Sequence, residues 1–129
     1  MPDSTADELL ALTQRLLDAI AAQDWATYEQ LCDPSLTCFE PEARGHLVEG
    51  LPFHRYYFER KGDMPARNNT VSSPHVRVMG VVAVVSYVRL IRSLDTQGHA
   101  TTTATEETRV WQRQPAGWRL VHFHRSASA

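Results

Sequence analysis

The arginines are the side chains whose chemistry stands out. Of the thirteen Lys and Arg residues, twelve are arginine and Lys61 is the only lysine. High-GC codon usage alone can produce that bias, so the placement of individual arginines carries the information. A guanidinium stays charged at every physiological pH, and its planar fork can grip a carboxylate through two parallel hydrogen bonds. Arg89, Arg109 and Arg125 fall within runs rich in β-branched and aromatic residues. Gln114-Pro115-Ala116-Gly117-Trp118 is a hairpin signal, with proline at the second position of a type I turn and glycine at a left-handed bulge position. Pairing Gln114 with Trp118 sets Trp111 opposite Val121, Arg109 opposite Phe123, and Glu107 opposite Arg125. Period-two alternation then gathers Glu107, Arg109, Trp111, Val121, Phe123 and Arg125 on one face, and His122, His124, Thr108 and Val110 on the other. In the preceding strand Tyr87, Arg89 and Ile91 alternate together.

A buried guanidinium without a partner is costly, so each of these arginines needs a counter-charge. Two readings follow. Glu107, Glu106 or Glu40 supplies the charge internally, and the arginines are structural. Alternatively, the arginines exceed the carboxylates beside them, and the face forms a cavity that takes a small carboxylate or phosphate.

Other constellations are weaker. His122 and His124 share one strand face, but zinc sites need three or four ligands and no third is visible beside them. No metal and no cofactor is expected. Cys32 and Cys38 do not form a C-x-x-C pair and have no basic sequence neighbour, which reads as two packing thiols of a cytoplasmic protein. Tyr56-Tyr57-Phe58 reads as core and interface, because consecutive helical positions cannot all line one pocket.

These residues need elements to hold them. Thr5-Ala6-Asp7-Glu8 reads as a capping box, and Leu9, Leu12, Leu16 and Ile20, with Leu10 and Leu17 alongside, trace one helix face. Asp24 caps a short helix from Trp25 to Leu31, which Cys32-Asp33-Pro34 ends. A short strand Leu36–Glu40 and a loop Glu40–Gly45 precede a third helix from about Pro52 to Arg60, and Lys61–Asn69 reads as a mobile loop. Strands follow at Val71–Met79, Val81–Ser93, Ala100–Arg113 and Trp118–Ser126, with a turn at Asp95–Gly98. Helices first and then a run of antiparallel strands make an α+β plan.

Composition agrees. A chain of 129 residues and 14.6 kDa, 43% hydrophobic and 22% charged, suits one globular domain over 1–129, with its ordered core at about 6–126. A net charge of -2 and a pI near 6.3 give no basic field for nucleic acid or an anionic membrane. The longest apolar run, Val81–Val85, is too short to cross a bilayer, and Met1-Pro2-Asp3-Ser4 lacks the basic start of a signal peptide.

Several segments carry a family resemblance. Cys32-Asp33-Pro34, Phe39-Glu40-Pro41-Glu42-Ala43, Leu47-Val48-Glu49-Gly50-Leu51 and Phe53-His54-Arg55 resemble the association (hub) domain of calcium/calmodulin-dependent protein kinase II. So do Tyr57-Phe58-Glu59, Pro74-His75, Val78-Met79-Gly80, Glu106-Glu107-Thr108-Arg109-Val110-Trp111 and Val121-His122-Phe123-His124-Arg125-Ser126. The resemblance implies an NTF2-like (SnoaL-like) cone, in which a long N-terminal helix and shorter helices pack on a strongly curved antiparallel sheet. It implies homodimers that assemble into rings. It also implies a pocket between sheet and helices in which Arg89, Arg109 and Arg125 meet a tyrosine and a histidine, matched by Tyr28 and His54; the hairpin register adds Trp111, Phe123 and Glu107 to the same face. In animal hubs that pocket takes small carboxylic acids. One departure stands out: the loop after Glu59 is short and lacks the tryptophan that animal hubs place near the pocket mouth.

The kinase itself is not implied. The chain has no glycine-rich loop, H-R-D or D-F-G motif, and no basic amphipathic helix for calmodulin, since the first helix carries only Arg15 as a cation. Relatives of the fold include isomerases, dehydratases and cyclases, so an enzyme using His54 with Tyr28, or Glu107 as base, is the alternative. For assembly, the sheet face opposite the arginines, with Val110, Leu120, His122 and the threonine-rich strand, is the expected dimer surface.

Overall fold

The first helix begins one residue earlier than the box suggests. In the computed structural model, which describes residues 4–59 and 67–127, Ser4 caps α1 (Thr5–Ala21) by accepting from the Asp7 N–H at 3.1 Å. Leu9, Leu16 and Leu17 are buried, whereas Leu12 and Ile20 are only half-buried. The stripe runs instead through Thr13, whose hydroxyl donates to the Leu9 carbonyl at 2.8 Å and so enters the core satisfied. Asp24 caps α2 (Trp25–Leu31) as expected, accepting from the Thr27 N–H at 3.2 Å.

The first strand, β1 (Cys32–Phe39), starts directly at the end of α2 and buries Cys32, Leu36 and Cys38. A 3-10 turn (Pro41–Ala43), the two-residue strand β2 (Val48–Glu49) and α3 (Pro52–Glu59) follow. The remaining strands are β3 (Arg67–Met79), β4 (Val82–Leu94), β5 (Ala100–Gln114) and β6 (Gly117–Arg125). The expected loop is corrected in part: Arg67, Asn68 and Asn69 belong to β3, and 60–66 lie outside the described residues. Asn69 is a clamp rather than a loop residue. Its side chain donates to the Leu17 carbonyl at 3.2 Å, and its own carbonyl accepts from Gln14 at 2.8 Å, which ties α1 across β3.

The six strands run in the order β2-β1-β6-β5-β4-β3. From β3 to β6 the sheet is the expected antiparallel meander, but β1 joins β6 in parallel, so the sheet is mixed rather than antiparallel. Turn chemistry reports pairing between sequence neighbours, and it is silent about Thr37 and His122, 85 residues apart. No helix among the described residues is long and apolar enough to span a membrane.

The last hairpin differs from the expected register and then returns to it. Gln114 pairs with Gly117, not Trp118, and Gly117 takes the positive φ of 123° that favours glycine. Trp111 therefore faces Leu120. The register then shifts at Val121, an extra residue that restores Arg109 opposite Phe123 and Glu107 opposite Arg125. The bulge also changes which face the start of the strand presents. Leu120, expected on the outer face, is completely buried in the core with Trp118 and Phe123. On the outer face a row of neighbours runs Val84, Val110, His122 and Thr37 across the strands, and Phe39 packs against both His122 and His124.

Candidate functional site

Between the helices and the inner sheet face lies a cavity of about 290 Å³. Tyr28 reaches it from α2, His54 from α3, Arg89 from β4, Arg109 from β5, and Phe123 and Arg125 from β6. Two expected members, Glu107 and Trp111, do not line it. They lie beneath its floor, 2% and 0% exposed, because the inward row of β5 sinks into the core there. Lining residues that sequence reasoning missed include Ile20, Glu42, Tyr57, Phe58 and Arg67. The sequence predicts core and interface roles for Tyr57 and Phe58; Phe58 does pack on Trp25 and Tyr28, with ring centroids at 5.2 and 4.8 Å, yet both residues also border the cavity.

Under the cavity, Glu107 is the hub of a polar network. Its carboxylate accepts from Arg89 at 3.0 Å, from Arg109 at 2.9 Å and from the Tyr87 hydroxyl at 2.5 Å. Arg109 Nε donates to the Tyr87 oxygen at 2.8 Å, and Arg89 Nε donates to Asn69 Oδ1 at 3.0 Å. Burial alone would raise the Glu107 pKa, but the Arg109 and Arg89 guanidiniums together with Tyr87 outweigh it and hold it at about 2. Glu107 is thus a fixed anion and a poor base.

Arg125 is paired as well, with Glu42 and, at 3.7 Å, with Glu40. Each of the three arginines therefore has a protein carboxylate, and Glu107 is not the sole neutralising group that the hairpin register supplied. Of their buried donors, one is left over. Arg109 Nη1 is buried and has no hydrogen-bond partner among the described residues, although Arg109 borders the cavity. The same guanidinium lies over the Phe123 ring at 4.5 Å.

His54 is 6% exposed and is the buried residue of α3, with Phe53 and Phe58 half-buried beside it. Its Nδ1 lies 3.4 Å from the Tyr28 hydroxyl and 4.0 Å from Glu40, and its Nε2 lies 3.6 Å from Cys38 Sγ. Burial, reinforced by Arg109, lowers its pKa to about 4, so the ring is neutral near pH 7. Burial likewise pushes both thiols up to about 12, and the cysteines are free. Glu40 was named in the sequence only as a counter-charge. Alternation from Leu36 through Cys38 to Glu40 was the available signal that it shares their inward face.

Three comparisons bear on this arrangement. The family profile described as calcium/calmodulin dependent protein kinase II association domain matches residues 5–129. The Drosophila melanogaster calcium/calmodulin-dependent protein kinase type II alpha chain is 49% identical over 125 residues, covering 95% of this chain and 24% of that protein. The chain thus spans about a quarter of the length of the curated relatives it matches. Among solved structures, the Chlamydomonas reinhardtii CaMKII hub homology domain superposes with a TM-score of 0.90 at 53% identity, covering 95% of this chain and 98% of that one. An NTF2-like superfamily protein of Salmonella enterica serovar Typhimurium, at 24% identity and a TM-score of 0.77 over 95% of this chain and 90% of that one, shares the fold.

Proposed function

As the chain belongs to the calcium/calmodulin dependent protein kinase II association domain family, we propose that it is a self-assembling domain whose internal cavity binds a small carboxylate. The observation that carries the ligand reading is Arg109, which borders the cavity and whose buried Nη1 has no hydrogen-bond partner among the described residues. A carboxylate oxygen would satisfy that donor, and a charge-assisted bond contributes roughly 1.5–3 kcal/mol before ordering costs. A volume of about 290 Å³ is at the lower end of small-molecule pockets and suits a small organic acid. Because Glu40 and Glu42 already occupy Arg125, the ligand competes there with protein carboxylates, which favours modest affinity.

Assembly is supported by the outer face. Val84, Val110, His122 and Thr37 form a half-buried strip on a sheet whose other side already carries the helices. A sheet with apolar groups on both faces needs a second cover, and another copy of the chain supplies it.

Thermal melting with millimolar acetate, hydroxybutyrate, benzoate and phosphate tests the pocket. At about ten times its dissociation constant a ligand stabilises the fold by about 1.4 kcal/mol, on the order of 4 °C in Tm. Arg109→Lys keeps the charge beside Glu107 but removes the fork, and should abolish the shift while the protein stays folded. An unchanged Tm across the whole panel would leave the arginines as structural residues.

A further inference from the structure

We propose that Cys38, Glu40 and His54 form a metal site of the zinc class, with its fourth coordination position open to the cavity. One donor atom from each of the three residues lies within 4.8 Å of the others. The arrangement follows from the backbone. Cys38 ends the inward row of β1, Glu40 continues the same alternation just beyond the strand, and His54 is the buried side chain of α3, facing them. Sequence inspection paired His122 with His124 and foresaw no metal, because nothing local announces that α3 lays His54 on the end of β1.

The chemistry suits zinc. Bonds of about 2.3 Å to sulfur and about 2.0–2.1 Å to nitrogen, at a tetrahedral angle, put those two donors roughly 3.5 Å apart. Cys38 Sγ and His54 Nε2 are 3.6 Å apart. Glu40 Oε1 lies 4.0 Å from the other ring nitrogen, Nδ1, and within 4.8 Å of the donor set, so its side chain must rotate toward Nε2 to complete the site. A mixed sulfur, nitrogen and oxygen set selects zinc over magnesium or calcium, which prefer oxygen alone. Three protein ligands leave one position, and Glu40 and His54 both border the cavity, so water occupies it.

An outer shell is also in place. With Nε2 on the metal, His54 Nδ1–H faces the Tyr28 hydroxyl oxygen at 3.4 Å, and the second Glu40 oxygen faces Arg125 at 3.7 Å. Arg109 and Arg125 would repel a bare dication. A thiolate and a carboxylate cancel the zinc charge, however, and Cys38 gives up its proton to the solvent as the ion enters. This inference does not depend on carboxylate binding and is measured without any carboxylate present.

The test uses the whole chain, stripped with a chelator and titrated with Zn²⁺ by calorimetry and with Co²⁺ by absorption spectroscopy. One ion per chain is expected. Co²⁺ should give the intense visible bands of a four-coordinate ion and a near-ultraviolet sulfur-to-cobalt band. Cys32→Ser leaves Cys38 as the remaining cysteine and should keep that band, so the assignment holds even where Cys38→Ser fails to fold. Folded Cys38→Ser should lose the band, and His54→Gln should weaken Zn²⁺ binding by more than the roughly 10–100-fold that loss of an outer-shell partner costs. A weak six-coordinate Co²⁺ spectrum without the sulfur band, or Zn²⁺ binding undiminished in His54→Gln, would place the ion on surface histidines and overturn the site.

Discussion

Replacing Glu107 by Gln removes the anion that two buried guanidiniums share. Arg89 is 5% and Arg109 1% exposed, and both donate to the same carboxylate. Breaking a buried ion pair from one side costs about 3–5 kcal/mol, because the remaining charge is stranded in a poor solvent. Titration gives a second route to the magnitude. A carboxyl held at about 2 against an ordinary 4.5 contributes about 3 kcal/mol at neutral pH. Glutamine keeps one oxygen to accept from Tyr87 or Arg109, so the lower end, about 3 kcal/mol, is expected, or about 12 °C in Tm for a chain of this size. Because the folded pKa lies below the unfolded one, this stabilisation is complete above about pH 4.5 and disappears as pH falls toward 2. Wild type and Glu107→Gln, melted at one fixed protein concentration from pH 7 to pH 3, should therefore converge on the acid side. Fixing the concentration matters, since an oligomer's Tm depends on it. Glu106→Gln, the exposed neighbour, is the control and should stay within about 0.5 kcal/mol of wild type. A Glu107→Gln protein that melts within about 2 °C of wild type, with no change in the difference across that pH range, would refute the network as a source of stability.

Other outcomes follow from the same geometry. Asn69→Ala removes the acceptor of Arg89 Nε and the donor to the Leu17 carbonyl, and should cost about 1–3 kcal/mol in urea unfolding without changing the oligomer. Val110→Lys places an ammonium in the middle of the outer strip and should convert the assembly to a species near 14.6 kDa in light scattering coupled to size exclusion; an unchanged assembly would move the interface elsewhere. Calorimetric titration with calcium-loaded calmodulin should be silent, because Arg15 is the one cation of α1; a saturable heat would contradict this.

How much of this was legible in the sequence depends on the range of each interaction. Asp24 as a cap, the stop of α2 at Cys32 and the meander of the last four strands are local, and each is encoded within a few residues of where it acts. The partners across Arg109 and Glu107 were also foreseen, but through two errors that cancel. The turn is one residue tighter than Pro115 and Gly117 suggested, and the bulge at Val121 takes up the difference. Leu120 lies between the two, so its face was misassigned and the outer strip lost one of its expected members. Wherever a reading depended on segments distant in sequence, periodicity had nothing to offer. The parallel seam joins β1 to a strand some 85 residues away, while the pairing of Arg125 with Glu42 and the meeting of Cys38 with His54 bring the 3-10 turn and α3 to the ends of β6 and β1.

That distinction bears on the arginines themselves. Alternation could show that three cations share a buried face, but not how many anions the connecting segment delivers to it. Glu40 and Glu42 come from that segment, and with Glu107 they pair with Arg89, Arg109 and Arg125. The carboxylate preference we propose therefore rests on one unpartnered donor, Arg109 Nη1, more than on bulk charge. A ligand that only neutralises charge should bind no better than chloride, whereas one that also presents an oxygen to Nη1 should discriminate sharply between Arg109 and Lys at that position.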